Sequence, residues 1–227
     1  MVAEVKQWAK EHRDGNKWNI WSAILVVGLI SGFISGVISG LFGSSNPNEP
    51  NTIESILTLA SEIALMPMSV GLVLYVVNVV KEKKFEIGQL FSRYSDFIRI
   101  FVANLISELL IFVFTLLLIV PGIIRAISYF LINYILADPD FADLSAGEIP
   151  DLSRKIMDGH KGEYFTLNLY YFAMMLLGVF TLGILWIWII PEMNLANAKF
   201  ATNLLENYKK ENKIEAKEET KEEVKEA

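Results

Sequence analysis

The chain has 227 residues, 53% of them hydrophobic and 20% charged, with a mean hydropathy of +0.39 and a formal net charge of −6. Soluble domains average about 45–50% apolar residues, and here the excess is gathered into long runs, which points to membrane spans rather than an enlarged soluble core. Cysteine is absent, which excludes disulfides, thiolate zinc sites, iron–sulfur clusters and cysteine nucleophiles, and the acidic balance argues against a nucleic-acid ligand.

Residues 1–19 form a lead-in. Val2, Val5, Trp8 and Ala9 recur at helical spacing between Lys6, Lys10 and Arg13, the pattern of a short amphipathic helix lying on a membrane surface. Trp18 and Trp21 mark the interface. Residues 20–42 carry no charge and make the first predicted span, with no cleavage site of the kind that ends a signal peptide. Within it Gly32, Gly36 and Gly40 form two overlapping GxxxG motifs, which let another backbone approach closely in lipid. The seam is expected to pack against another helix of the same chain, or failing that to pair two copies.

The loop "GSSNPNEPN" holds no basic residue and leads to a second span at 55–80, with Glu62 in its first third and Pro67 and Gly71 as kink candidates. A basic amphipathic connector, "KEKKFEIGQLFSRYSDFIR", precedes a third span at 97–120 that contains Glu108. "PGIIR" reads as a tight turn into a fourth span at 122–137. A polar insert covers 138–163, two further spans are expected at 164–180 and 183–207 around the break "TLG", and 209–227 is a solvated tail of alternating Lys and Glu that buries too little to fold alone.

Basic residues gather on the cytoplasmic side of short loops. Lys6, Lys10, Arg13 and Lys17 precede the first span, Lys81, Lys83, Lys84 and Arg93 follow the second, and Arg154, Lys155 and Lys161 follow the fourth. The alternate segments hold only Arg125. Six crossings with both termini in the cytoplasm satisfy this asymmetry, whereas five would place the Lys-rich tail outside.

Charges within apolar spans are the default functional candidates, since even the mildest scale gives about 2.5–3.5 kcal/mol for placing one at the bilayer centre. Here they are Glu62, Glu108, Arg125, Glu192 and Lys199. Glu62 and Arg125 are placed to pair as a structural bridge, and Lys199 to snorkel toward the inner surface. The sharper alternative is a polar path for an ion or small solute with Glu108 and Glu192 as acidic stations, but no repeat relates the two halves of the chain.

Enzymatic readings find little footing, and no cofactor is expected. His12 and His160 are the only histidines, too few for a multi-histidine metal site in one copy. Asp138 and Asp140 make a minimal DxD pair without a phosphate-cradling loop. Asp151, Ser153 and His160 occur together, yet without a strand–turn–helix elbow to present the serine.

In the insert, Ser145 and Glu148 have the spacing of a capping box, Ile149, Leu152 and Ile156 lie on one helix stripe, and Gly159 suits the C-terminal cap. This predicts an interfacial helix over about 145–158, with Pro150 in its first turn, and puts Asp138, Arg154, His160 and Lys161 in reach of head groups or a partner.

The stretches "YILADPDF", "DLSRKIMDGHKGEYFTLNL" and "TLGILWIWIIPEMNLANAKF" resemble the bacterial integral-membrane family called domain of unknown function 975. The likeness lies in Asp138–Pro139 at the end of a span, Ser153–Arg154 with Met157, Gly159, His160 and Lys161 before a Phe165-led span, Thr181 and Gly183 at a turn, and Pro191. Glu192 stands where that family usually has an aromatic residue. The resemblance implies a multi-span protein of a bacterial plasma membrane and carries no established activity. The expectation is thus an all-α polytopic protein in the lipid bilayer, a scaffold or accessory protein with a protein partner or a second copy of itself, with a small transporter or channel as the alternative.

Overall fold

The computed structural model describes residues 1–43, 51–84 and 86–226, with side chains described as far as Asn212. Residues 44–50 of the first predicted loop, Phe85 of the basic connector and the tail side chains from 213 onward lie outside the described residues. Eight α-helices and no strand occur among the described residues: α1 (Val2–Phe42), α2 (Thr52–Val80), α3 (Phe97–Leu117), α4 (Ile119–Ser128), α5 (Ile132–Ala137), α6 (Glu148–Met157), α7 (Lys161–Phe180) and α8 (Trp186–Glu226). Short 3-10 turns at Ile87–Phe91, Tyr94–Asp96 and Pro139–Phe141 join them.

The lead-in is not a separate surface helix. It is the first half of α1, a single 41-residue helix. Val5, Ala9, Ile20 and Ala23 are buried on one face of α1, and their spacings of four, eleven and three residues, each close to a whole number of helical turns, carry one packing face from the polar half into the apolar half. α8 runs antiparallel along this face. Trp21 Nε1 donates to Ile187 O at 2.9 Å, Arg13 meets Glu192, and the Lys199 ammonium lies 5.1 Å from the centre of the Trp8 ring.

α2 packs back along α1, with the Tyr75 hydroxyl donating to Asn19 O at 3.2 Å. Asn51 caps α2 by accepting from the Ile53 N–H at 3.0 Å. Pro67 lies inside α2 without ending it. Gly71, read from sequence as a kink candidate, serves an approach instead: a Cβ there would collide with the Leu90 backbone, so its absence lets the 3-10 turn seat directly on α2.

The turn after α3 falls earlier than "PGIIR" suggests. Leu118 is extended (φ −159°, ψ 140°), and Pro121 and Gly122 lie in α4, where proline in the first turn is tolerated because its missing N–H has no partner anyway. The predicted fourth span is two short helices, α4 and α5, separated at Tyr129–Leu131. Buried Ser153 of α6 bridges the break, donating to Ser128 O at 2.9 Å and accepting from Leu131 N–H at 3.2 Å, which satisfies backbone groups that a helix end leaves orphaned.

Burial divides along the helices. Val5–Ala23 of α1, Pro67–Val80 of α2, α5, the inner face of α6 and Ile189–Leu205 of α8 supply most of the core. Leu25–Phe42 of α1, Ile53–Leu59 of α2, Leu105–Val120 and much of α7 expose large apolar side chains. So extended a bare apolar surface belongs against lipid rather than water. Four segments are long and apolar enough to cross a membrane: Val2–Phe42, Thr52–Val80, Ile87–Leu117 and Ile119–Ala137. The fifth and sixth crossings expected from sequence are not among them. The α7–α8 turn lies near Trp21 of α1, whereas α1 runs on to Phe42, about 31 Å further at 1.5 Å per residue.

Gly32, Gly36 and Gly40 are exposed, and a Cβ on each would meet nothing within 4 Å. The expected packing of this seam within the chain is therefore not formed among the described residues.

Candidate functional site

α6 carries Glu148, Asp151, Arg154 and Lys155 within ten residues. Ser145 N–H and Oγ–H both donate to Glu148 Oε2, at 2.7 and 2.6 Å, and hold its carboxyl below the usual carboxylate range. This is the returning half of a capping box. The hydroxyl is spent on the carboxylate, so Gly147 rather than Ser145 stands at the N-cap and the helix begins at Glu148. Ile149, Ser153, Ile156 and Met157 turn inward, and Pro150 falls in the first turn. Gly159, at φ +83°, reverses the chain so that α7 can start at Lys161.

Between α4, α6 and the start of α7 lies an open cavity of about 800 Å³ whose lining includes Arg125, Arg154, Lys155 and Lys161 together with Asp151 and Asp158. Arg154 Nη2 is 3.2 Å from Asp151 Oδ1 and Lys161 Nζ 3.1 Å from Asp158 Oδ1, with both carboxylates largely in solvent. Exposed pairs of this kind contribute about 0–1 kcal/mol and give way readily to a better partner. The Lys155 ammonium lies 5.6 Å from the Tyr208 ring centre, and the Arg125 guanidinium 4.2 Å from that of Phe114. Neither Arg125 nor Lys155 forms an ion pair among the described residues. The arrangement is a cradle of cations suited to a phosphate-like anion.

The other predicted head-group contacts separate from this cradle. His160 pairs with Glu163, Nδ1 to Oε2 at 3.0 Å, and lines a neighbouring cavity of about 400 Å³ with Tyr208 and Glu211. Asp138 sits at a latch: Lys209 Nζ reaches Asp138 Oδ2 and Asp140 Oδ2 at 2.6 Å each, and Lys81 Nζ lies 3.9 Å from Asp138 Oδ2. Burial works to lower the Lys209 ammonium, but its bonds to Asp138 and Asp140 outweigh this and hold it above its ordinary value. Arg93 and Arg99 anchor the same corner by donating to the carbonyls of Ala137, Phe141 and Leu144.

The predicted intramembrane charges disperse as well. Glu192 Oε2 is 2.9 Å from Arg13 Nη1, and Tyr171 Oη donates to Glu192 Oε1 at 3.4 Å, so one carboxylate ties α1, α7 and α8. Glu62 and Glu108 are exposed on separate helices and form no ion pair among the described residues, and the expected Glu62–Arg125 bridge is not formed because Arg125 faces the α6 cradle. Among the described residues no three His, Asp or Glu side chains converge as for a metal.

Sequence reasoning missed Arg13, Lys155 and Lys209 as site residues. For Arg13 the only sequence signal is that Val5, Ala9, Ile20 and Ala23 fall on one helix face, and His12 and Asn16 interrupt its apolar character between Ala9 and Ile20. For Lys209 the local pattern of alternating charge holds no such signal.

Residues 110–208 match the model of a family described as Protein of unknown function (DUF975), the family that the Asp138-to-Pro191 motifs resemble. No curated protein and no solved structure matches the chain.

Proposed function

We propose that this protein is a non-enzymatic, multi-pass membrane protein that works as a scaffold or accessory factor, with its basic face set against lipid head groups or a partner at the cytoplasmic surface of a bacterial plasma membrane. The Arg13–Glu192–Tyr171 tie carries this reading: the best-placed carboxylate for a polar path is held by two side chains that bind three helices together. The bare apolar surfaces of α1 to α4 and α7 support the membrane setting.

The lead-in, the connector after α2 and α6 all carry basic residues, and the positive-inside rule puts them in the cytoplasm. α7 and α8 then enter from that side and return to it, which leaves both termini cytoplasmic. A second copy of the chain, or another membrane protein, is the expected company.

The experiment is ion and proton flux in proteoliposomes across pH, comparing wild type, Glu108→Gln and Glu192→Gln. No flux above empty liposomes is expected from any of the three. A wild-type flux that either substitution abolishes would replace the scaffold by a transporter or channel.

A further inference from the structure

We propose that the cavity between α4, α6 and α7 is a binding site for one anionic phospholipid, its phosphate held by Arg125, Arg154 and Lys161 and its chains lying against the exposed apolar face of α4. This deepens the reading above and rests on that face meeting the membrane surface.

Charge balance comes first. The cavity has four cationic side chains and two carboxylates among its lining residues. Asp151 and Asp158 are engaged by Arg154 and Lys161, so among the described residues Arg125 and Lys155 are left with aromatic faces. An arginine without a carboxylate partner is ordinary in water. Arg125, however, ends a run in which Leu116 to Val120 are each at least 65% exposed and Ile123 and Ile124 about half exposed. A guanidinium attached to surface of that kind is carried to the edge of the hydrocarbon, where an unpaired charge is costly and a counter-anion is favoured.

Shape points the same way. The cavity wall is mixed, with Ile124 and Leu152 beside the cations, and Ile124 leads onto the bare face of α4. A free phosphate uses the cations and gains nothing from that face, whereas a phospholipid uses both. The planar fork of arginine suits two phosphate oxygens at once, and basic pockets beside membrane helices are a recurrent form of head-group site. The volume of about 800 Å³ accommodates a glycerophosphate head and the beginning of its chains.

The test uses the full chain in nanodiscs of phosphatidylcholine with or without phosphatidylglycerol, with native mass spectrometry reading the lipid retained after extraction. Phosphatidylglycerol should be retained in preference to phosphatidylcholine. Arg125→Gln should weaken that retention about tenfold or more, the loss of one charge-assisted contact. Lys161→Gln should weaken it in the same direction, and Arg125→Lys should fall between wild type and Arg125→Gln, which guards against a folding defect. Lys210→Gln, exposed and outside the cavity, should change nothing. Equal retention of the two lipids, or retention indifferent to both Arg125→Gln and Lys161→Gln, would overturn the site. Inorganic phosphate displacing phosphatidylglycerol as well as glycerophosphate-bearing lipid does would make it a site for free phosphate instead. Carbonate washing separates the two levels: protein that stays in the membrane yet shows no lipid preference refutes the lipid site alone, while wild type released by carbonate refutes the membrane reading beneath it.

Discussion

Arg13 and Glu192 are 179 residues apart in sequence and joined by a 2.9 Å charged hydrogen bond, with side chains only 19% and 10% exposed. Removing one member of such a pair strands the other in a poorly solvated place, a loss on the order of 3 kcal/mol when burial is complete. The pair converts a basic lead-in that looks fit for a membrane surface into a strut along α8. It also takes up the carboxylate that, on sequence alone, stood as a station for transport.

The seat of the connector on α2 is tested by Gly71→Ala. The new methyl group would strike Leu90 backbone rather than a flexible side chain, so either the 3-10 turn or α2 must shift. Overpacking of this type costs about 1–3 kcal/mol. Thermal unfolding in detergent should show a clear drop in midpoint, and an unchanged midpoint would mean the close approach is absent.

The Lys209 latch gives a dependence on alkaline pH. Its ammonium is held above the ordinary 10.5, so its contribution is fully present below that value and is lost as pH rises through the higher folded value. Wild type should lose stability more steeply than Lys209→Met above pH 10.5. Parallel curves for the two would show that the Asp138 and Asp140 contacts do not stabilise the fold.

Glu148 works at the other end of the scale. Its carboxyl is held below the usual 4.5 by the Ser145 hydroxyl and amide, so the contribution is present above that value and disappears as pH falls through the lower folded one. Protection of the amides at the start of α6, measured relative to the intrinsic exchange rate at each pH, should fall on acidification in wild type. In Glu148→Gln that protection should already be lower at neutral pH and respond less to acid.

The absence of cysteine makes hairpin depth accessible to single-cysteine labelling. Leu118 and Leu182 tip two hairpins and are 68% and 94% exposed, and no polar side chain lies between Thr115 and Arg125. Leu118 stands seven residues from Arg125, about 10 Å of helix, against a hydrocarbon thickness of about 30 Å. Cysteine at either tip should resist a membrane-impermeant maleimide in intact vesicles and react once detergent is added. Labelling as fast as at a control with cysteine in place of exposed Thr52 would place the tips in water.

What was legible in the sequence was local. The Gly159 stop, the glutamate half of the capping box, the Asp138 turn and the Thr181–Gly183 reversal each follow from the conformational limits of one or two residue types, and Gly183 does take φ +86°. The partnerships were not legible, because Arg13 with Glu192 and Lys209 with Asp138 depend on which helices lie side by side. Gly32, Gly36 and Gly40 show the converse. Their spacing advertises a seam, but spacing says nothing of whether a second helix arrives.

The central claim, that Glu192 is a structural tie, is tested most directly by a double-mutant cycle on unfolding with Arg13→Met, Glu192→Leu and the double substitution. A stabilising coupling of about 1.5 kcal/mol or more, with the double substitution recovering much of what each single one loses, is predicted. Additive losses with no coupling would contradict the tie and return Glu192 to the list of free intramembrane carboxylates.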